Sequence, residues 1–266
     1  MPISSAAFLP PSPLLISDIG KENSQILAKT YQAYQEFANY LKEDEAELIV
    51  IISNYNPINS KKICLNISPE LKINLEDFGH VAYNKTFDPA LNLAAAIHRE
   101  IGSHRQIRLI SNSDLDYGSA VPLYLLGDSL KKFKVLTIYT NTSITTQTHY
   151  EMGQKIREIL QNLPEKITLI AVGTLSHRST KTNNNTKHNR FDHRIIECLQ
   201  DNESGLEKIL KIDQKTIDEI QDNSLNQIAM LRGIIANNYQ AHTLAYQNEF
   251  GIGYLSMYFD LQIAQI

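Results

Sequence analysis

The segment AELIVIIS (residues 46–53) is a short, unbroken apolar run rich in isoleucine and valine. Such a run, which lacks the polar alternation of a half-exposed strand, is typical of a central strand covered on both faces. It follows residues 22–41, where apolar and aromatic residues recur every three or four positions, as on the buried side of a helix. This order of elements favours an α/β fold.

Similar apolar runs recur downstream and alternate with helical patterns. Further strands are predicted at residues 106–111, 133–140, 166–174, 241–247 and 251–259, and helices at 147–160, 191–200, 204–212, 214–222 and 226–239. Strands that alternate with helices favour a mostly parallel sheet.

We therefore predict a single α/β domain over residues 1–266, with a central, mostly parallel or mixed sheet flanked by helices. The helix at residues 22–41 is predicted to be its first element. The polar, amide-rich segment at residues 179–189 cannot bury enough surface to order itself, so we predict a mobile surface loop there.

Composition and charge argue against several classes of protein. With 266 residues, 42% of them hydrophobic, the chain is long enough to bury a full core. The net charge of -4 comes from interspersed charges, so neither nucleic acid nor an anionic membrane is an expected partner. Prolines at residues 10, 11 and 13 interrupt the apolar N-terminal stretch, which argues against a signal peptide and a spanning helix.

Cysteine usage indicates a reducing compartment. Cys64 and Cys198 lie far apart in the sequence and form no CxxC pair. Neither a structural zinc site nor a disulfide framework is therefore indicated. We expect a cytoplasmic protein.

A candidate site is predicted at one edge of the sheet. In an open parallel sheet, the loops that leave the carboxyl ends of the strands converge on a crevice where ligands bind. Two polar segments, SNYN (53–56) and TLSHR (174–178), directly follow predicted strands. We expect these segments to lie at the site.

Six separated blocks of the chain carry a family resemblance. They are PISSAAFLPPSPLLI (2–16), GKEN (20–23), IVIIS (49–53), LDYGSAVPLYLL (115–126), GTLSHR (173–178) and YQNEFGIGYL (246–255). Together and in this order, they resemble the B-type subunits of the class III extradiol ring-cleavage dioxygenases. The branch that they resemble most is labelled AmmeMemoRadiSam system protein B and is related to the Memo proteins. The resemblance covers residues 2 to about 259.

This resemblance implies the family's fold and a non-haem Fe(II) site of two histidines and one glutamate. Such a site binds a catechol-type diol and O₂, with a further histidine nearby as acid/base. Two neutral imidazoles and a carboxylate hold one face of Fe(II) and leave the other positions open for substrate and oxygen. The ligand types are therefore essential to the chemistry.

All three ligand positions are substituted in this chain. The two histidine positions fall on Pro11 and Tyr55, and the glutamate position falls on Gln247. Proline has no side-chain donor atom, a phenol ionises only near pH 10, and a carboxamide carries no charge to offset that of the metal. A fourth family histidine falls on Tyr117, and only His177, at the acid/base position, is retained.

Two functions from different classes follow. The first is a metal-free, catalytically degenerate homologue that uses no cofactor and acts in ligand or protein binding. The second is an active Fe(II) oxidoreductase that cleaves a catechol-type diol through a rearranged ligand set. Glu249, which lies two residues after Gln247 and so faces the same side of a strand, would belong to that set.

The pocket predicted for the first function is lined by Ser12, Tyr55, Tyr117, Gln247 and Glu249, beside His177. Tyrosines offer apolar faces and a polar tip, so this lining suits a small aromatic or polar ligand. Alternatively, the tyrosines plug a vestigial cavity, and His177 is either an acid/base or a polar residue satisfied by its neighbours. Family resemblance also makes a homodimer or another protein partner plausible.

Other candidates carry weaker signals. A Ser/His/Asp triad from Ser12 or Ser176, His177 and Asp116 is disfavoured, because no G-x-S-x-G motif is present and adjacent residues of an extended segment point apart. The remaining histidines have no metal-ligand spacing. We predict that His98, His104, His188 and His193 are exposed and that His80, His149 and His242 are structural or on the surface.

Overall fold

The computed structural model describes residues 2–55, 60–81, 83, 85–102, 107–127, 132–178 and 185–261. The strands are β1 (Ile3–Leu9), β2 (Leu48–Ser53), β3 (Ile63–Asn66), β4 (Leu71–Ile73), β5 (Thr86–Pro89), β6 (Ile107–Ile110), β7 (Asp114–Leu115), β8 (Lys134–Tyr139), β9 (Ile167–Val172), β10 (Gln240–Glu249) and β11 (Ile252–Asp260). The helices are α1 (Ser17–Gly20), α2 (Glu22–Ile26), α3 (Ala28–Asp44), α4 (Leu91–Ile101), α5 (Tyr117–Leu126), α6 (Thr146–Leu160), α7 (Asn185–Gln200), α8 (Gly205–Leu210), α9 (Gln214–Ile220) and α10 (Leu225–Ile235). Short 3₁₀ turns occur at Pro13–Leu15 and Glu76–Phe78.

The strands form one mixed sheet in the order β10-β11-β1-β9-β2-β8-β5-β4-β7. Its centre, β1-β9-β2-β8, is parallel, whereas β11 pairs antiparallel with β1 and β10 pairs antiparallel with β11. Beyond β8 the sheet forks, because β5 pairs with the start of β8 and β3 pairs with its end. The predicted α/β domain with a mixed sheet is confirmed.

The apolar run in β2 is explained by helices on both faces of the sheet. Val50 and Ile52 belong to the core that contains the buried faces of α4, α6 and α10. Ile49 and Ile51 belong to the opposite core, with α3 and α5. Successive side chains of a strand point to opposite faces, so a strand covered on both faces needs apolar residues at every position.

The N-terminal segment differs from the prediction. The first element is not a helix but the strand β1, and its sequence, ISSAAFL, carries serines where a central strand usually has branched apolar residues. Ser5 is accommodated in the interior because its hydroxyl shares a 2.9 Å hydrogen bond with Thr168 of β9. The helix predicted at residues 22–41 is divided at Leu27 into α2 and α3.

The Asn-rich segment also differs from the prediction. Residues 179–184 lie outside the described residues, and α7 already begins at Asn185, so residues 185–189 are helical and not a loop. The earlier start of α7 also corrects the prediction for His188, which is buried on this helix instead of exposed. His188 stands one helical turn before the buried Asp192, and their charges interact.

Both cysteines are buried thiols that are not joined in a disulfide. Among the helices of the described residues, none combines the length and the apolar character needed to cross a bilayer.

His149, on α6, is fully buried and structural. Its Nδ1 lies 2.9 Å from the carbonyl oxygen of Thr145, and its Nε2 accepts a 3.2 Å hydrogen bond from the backbone N–H of Asn141. A carbonyl only accepts and an N–H only donates, so the ring is neutral with its proton on Nδ1. Burial lowers the pKa of His149 to about 4.

The lowered pKa of His149 predicts that the folded protein loses stability in mild acid. The unfolded chain binds the proton below its pKa of 6.5 and the folded chain only below about 4, so the free energy of unfolding falls as the pH falls through this window. Between pH 7 and pH 5 the loss amounts to about 2 kcal/mol. Urea unfolding of the wild type and of His149→Asn at both pH values measures it.

The variant separates His149 from other titrating groups. Burial raises the pKa of Asp116, Asp192 and Asp222, so these carboxyls change stability in the opposite direction as the pH falls. They are common to both proteins and cancel in the difference. An equal pH dependence in the wild type and in His149→Asn would contradict the assignment.

Candidate functional site

The carboxyl ends of the central strands meet the tip of the C-terminal hairpin. Strands β1, β9 and β2 end side by side at Leu9, Val172 and Ser53. Because β11 runs antiparallel to β1, the turn between β10 and β11 lies at this same edge. The fold thus gathers the segments after β1, β2 and β9 with the hairpin tip, where the sequence predicts the site.

Two tyrosines fill the centre of this edge. The rings of Tyr55 and Tyr117 pack with centroids 4.1 Å apart, and the edge of Phe78 packs against Tyr117 at 5.6 Å. The side chains of Tyr117, Asn223 and Thr174 lie near the hydroxyl of Tyr55 and lower its pKa, but burial raises this pKa by more. Burial raises the pKa of both Tyr55 and Tyr117, so both phenols are neutral. We call Tyr55, Tyr117 and the nearby Tyr254 the tyrosine cluster.

The first turn of α5 holds Tyr55 in place. Asp116 caps this helix, accepting hydrogen bonds from the backbone N–H of Ser119 at 3.1 Å and from the hydroxyl of Ser53 at 2.9 Å. Ser53 in turn accepts a 3.2 Å bond from the backbone N–H of Tyr55. The ring of Tyr55 lies directly over Gly118, where a Cβ would come within 2.3 Å of it. A residue larger than glycine at position 118 would therefore displace this ring.

Gln247 bonds to the end of α2 and the start of α3. Its Oε1 accepts 2.9 Å hydrogen bonds from both the backbone N–H and the hydroxyl of Thr30, and its Nε2 donates a 2.8 Å bond to the carbonyl of Ile26. Thr30 stands in the first turn of α3, where backbone N–H groups have no partner within the helix. Leu27, which precedes the helix, provides no side-chain cap. Gln247 therefore acts as the cap.

His177 and Ser176 use different partners. The Nε2 of His177 lies 2.6 Å from the hydroxyl of Thr174, and burial lowers the pKa of this imidazole, although the charge of Asp192 raises it in part. Ser176 is buried and donates a 2.9 Å hydrogen bond from its hydroxyl to Asp192. Because Ser176 bonds to Asp192 and not to His177, the geometry does not form the nucleophile–base pair of a hydrolase triad.

Pro11, Ser12 and Glu249 complete the predicted set. Pro11 is buried shortly after β1, and the side chain of Ser12 lies near Tyr254 and lowers the pKa of that phenol. Glu249 is the last residue of β10, and its charge raises the pKa of Tyr254, although burial of that phenol has a larger effect. The fold thus brings Ser12, Tyr254 and Glu249 together at the hairpin side of the tyrosine cluster.

These side chains do not fit an Fe(II) centre of the kind that the resemblance implies. Pro11 has no donor atom, Tyr55 is a neutral phenol, and both polar atoms of the Gln247 amide are bonded to α2 and α3. In the parts of the chain that the structure describes, no three His, Cys, Asp or Glu side chains form a group able to hold a metal ion.

Four residues of the site were not identified from the sequence. Thr174 and Tyr254 lie inside the blocks GTLSHR and YQNEFGIGYL, so the sequence did mark their neighbourhood. Thr30 and Asn223 lie in a helix and a loop with no motif. Only the fold brings Thr30 to Gln247 and Asn223 to Tyr55.

The mixed sheet with helices on both faces and a candidate site at its carboxyl edge define an α/β protein. The family described as the catalytic LigB subunit of aromatic ring-opening dioxygenase matches residues 5–257. The chain belongs to this LigB family. An uncharacterized protein of Escherichia coli K12, JW3007, has a similar crystal structure, with a TM-score of 0.65 and 16% sequence identity over 96% of this chain and 99% of that one.

A curated relative is longer than this chain. Protein CA_C1420 of Clostridium acetobutylicum is 23% identical over 270 residues, which cover 96% of this chain but 57% of the relative. The chain thus spans little more than half the length of that protein.

Because Gln247 acts both as an acceptor and as a donor, a carboxylate at this position is expected to replace only the acceptor. Gln247→Glu keeps the acceptor for Thr30 but loses the donor to Ile26 and places a charge against that carbonyl. We expect a loss of about 1–2 kcal/mol in the free energy of unfolding. Urea unfolding measures it.

The matched control is Gln35→Glu, which introduces the same charge at an exposed position of α3. This control is expected to change stability by less than about 0.5 kcal/mol. Equal stability of the two variants would show that the amide of Gln247 is not required as a donor.

Proposed function

We propose that this chain is a metal-free LigB-family protein that acts by binding and does not cleave aromatic rings with iron. The observation that carries the proposal is the hydrogen bonding of the Gln247 amide. At the position of the family's carboxylate ligand, an amide donates to one helix and accepts from the next. An ionised carboxylate accepts hydrogen bonds but cannot donate them. The side chain at this position is therefore proposed to support the fold instead of binding a metal.

The packing of the tyrosine cluster supports the same conclusion. The ring of Tyr55 is in close contact with Tyr117 and with the first turn of α5, and polar protein groups lie near its hydroxyl. The two tyrosines are therefore proposed to plug the family's metal pocket, with the ligand or protein bound elsewhere on the chain. We also propose that the chain is of the Memo-related branch, is cytoplasmic, and forms a homodimer or binds another protein.

The alternative is an active Fe(II) oxidoreductase with a rearranged ligand set. The observation that favours it is the position of Glu249, whose carboxylate faces Tyr254 beside Ser12. This set would still need two imidazoles. His177 supplies one nitrogen at most, and that nitrogen is bonded to Thr174.

Iron content and oxygen uptake distinguish the two proposals. The protein is purified without oxygen in the presence of Fe(II), its iron is measured after desalting, and oxygen uptake is followed on catechol and on substituted catechols. We expect far less than one iron per chain and no uptake above that of free Fe(II). Stoichiometric iron with ring cleavage, both lost in Glu249→Gln, would establish the alternative.

Restoring the family ligands tests the mapping of these positions. In the variant Pro11→His, Tyr55→His, Gln247→Glu, we expect Fe(II) to bind and to raise the melting temperature by roughly 5 °C or more at a hundredfold excess over Kd. The variant itself should melt below the wild type, because the cap of α3 is altered. Circular dichroism checks that it is folded.

The double variant Pro11→His, Tyr55→His serves as control, since it has both imidazoles but no carboxylate. Its response to Fe(II) should be markedly smaller than that of the triple variant. A folded triple variant without any gain in iron affinity would contradict the assignment of Pro11, Tyr55 and Gln247 to the ligand positions.

A further inference from the structure

A cavity separate from the tyrosine cluster lies at the starts of two long helices. It has a volume of about 250 Å³ and lies between the loop before α6, the helix α9 and the first turn of α10. This is slightly below the roughly 300–1,000 Å³ of pockets for drug-sized ligands. The cavity therefore has room for a small metabolite and is much larger than the space of one water molecule.

We infer that this cavity binds a small protonated amine. Within the described part of the chain, its wall contains one ionisable side chain, Asp222, and otherwise consists of hydroxyl, amide and aliphatic groups. No lysine, arginine or histidine of the described residues lines it. The fixed charge at the wall is thus negative, which favours a cation over a phosphate or a carboxylate.

Asp222 has capacity for a further hydrogen bond. Its Oδ1 accepts from the backbone N–H groups of Ser224 and Leu225 at 2.8 and 3.1 Å, so it caps α10. Among the residues that the structure describes, its Oδ2 accepts only from the hydroxyl of Ser224, at 3.0 Å, although a carboxylate oxygen has two acceptor positions. Burial raises the pKa of Asp222 to about 6, and the charge of Asp192 adds to the effect. A cation beside Asp222 would offset the cost of burying this charge.

Two further acceptors lie close to the cavity wall. The amide groups of Asn54 and Gln227 both donate to the backbone carbonyl of Asn223, at 3.0 and 2.9 Å, and Asn223 lines the cavity. These bonds fix which atom of each amide is the oxygen. Within the described residues, Asn54 Oδ1 and Gln227 Oε1 are buried and have no hydrogen-bond partner.

The position of these oxygens follows from amide geometry. An amide oxygen lies little more than 2 Å from its nitrogen, so each of the two is at most about 5 Å from the carbonyl of Asn223. A buried acceptor without a partner costs about 1–3 kcal/mol. Neither Asn54 nor Gln227 lines the cavity, so their oxygens lie behind its wall. The groups that an ammonium in the cavity can reach are the carboxylate of Asp222 and the hydroxyl and amide oxygens of the wall itself, to which its three N–H donors are complementary.

This site supplies a ligand class for the binding function proposed above and rests on it. Iron uptake plays no part in the test below, so a failure of the amine site and a failure of the metal-free proposal are distinguishable.

The test uses the full chain and five probes at equal ionic strength. Methylammonium, ethanolamine and 1,4-diaminobutane are compared with glycerol and inorganic phosphate by thermal unfolding and by titration calorimetry. We expect at least one amine to raise the melting temperature and to bind with a Kd in the millimolar range or tighter. Glycerol and phosphate should do neither.

Variants locate the binding. Asp222→Asn removes the charge but keeps an oxygen for the N–H groups of Ser224 and Leu225, and it should weaken amine binding at least tenfold. Asp218→Asn removes an exposed charge from α9 that is not part of the cavity wall, and binding should be unchanged. Ser143→Trp, which places an indole at an exposed part of the wall, should also weaken binding if Asp222→Asn fails to fold.

The proposal is overturned if no amine binds to the wild type or if glycerol or phosphate binds as well as the amines. It is also overturned if folded Asp222→Asn, or folded Ser143→Trp, binds the amine with the affinity of the wild type.

Discussion

The coverage of the central parallel strands on both faces is the constraint on which the rest of the structure depends. Because β2 is buried at every position, one core forms around α3 and α5 and a second around α4, α6 and α10. Helices that cover both faces leave only the edges of the sheet open to solvent. Polar residues that follow the strands are therefore directed to the carboxyl edge, where Tyr55, Thr174 and His177 meet the hairpin.

At that edge, the chemistry of single side chains decides what the LigB fold can do. An amide is both donor and acceptor, a phenol with a raised pKa is a neutral donor, and a proline is neither. Gln247 uses both of its functions to join β10 to α2 and α3, and Tyr55 is enclosed by Tyr117 and Gly118. The framework of the family is retained, while Tyr55 contributes to packing and Gln247 to helix capping.

Periodicity predicted the elements with long apolar patterns. The strands β2, β8 and β9 and the helix α6 follow from it, because burial on one or two faces leaves a regular pattern. The strand β1 was missed, since its serines are satisfied by residues of a distant strand, Ser4 by the carbonyl of Ile167 and Ser5 by the hydroxyl of Thr168. The helix α5 was missed because it is buried almost all round and contains Pro122, so it has no polar face to reveal a helical period.

For the candidate site, the sequence predicted the location but not the contacts of the side chains. Blocks of sequence located Tyr55, Tyr117, His177 and Gln247 at one edge, but sequence could not show the direction of a side chain. Gln247 was expected to line a pocket, whereas it bonds to a helix that lies 217 residues away in sequence. Contacts of this kind depend on the three-dimensional packing of distant segments and leave no local pattern.

At the carboxyl edge, Asn223 lies between the segment of Tyr55 and the segment of Thr174 and His177. Its side chain lies near the hydroxyl of Tyr55 and accepts from the backbone N–H of Thr174. Its carbonyl accepts from the amides of two side chains, and Thr174 in turn bonds to His177. A displacement of Asn223 therefore cannot remain local, because it removes partners from the phenol and from the threonine simultaneously. By thermodynamic reciprocity, if ordering one side of this asparagine stabilises the other, the second must stabilise the first to the same extent.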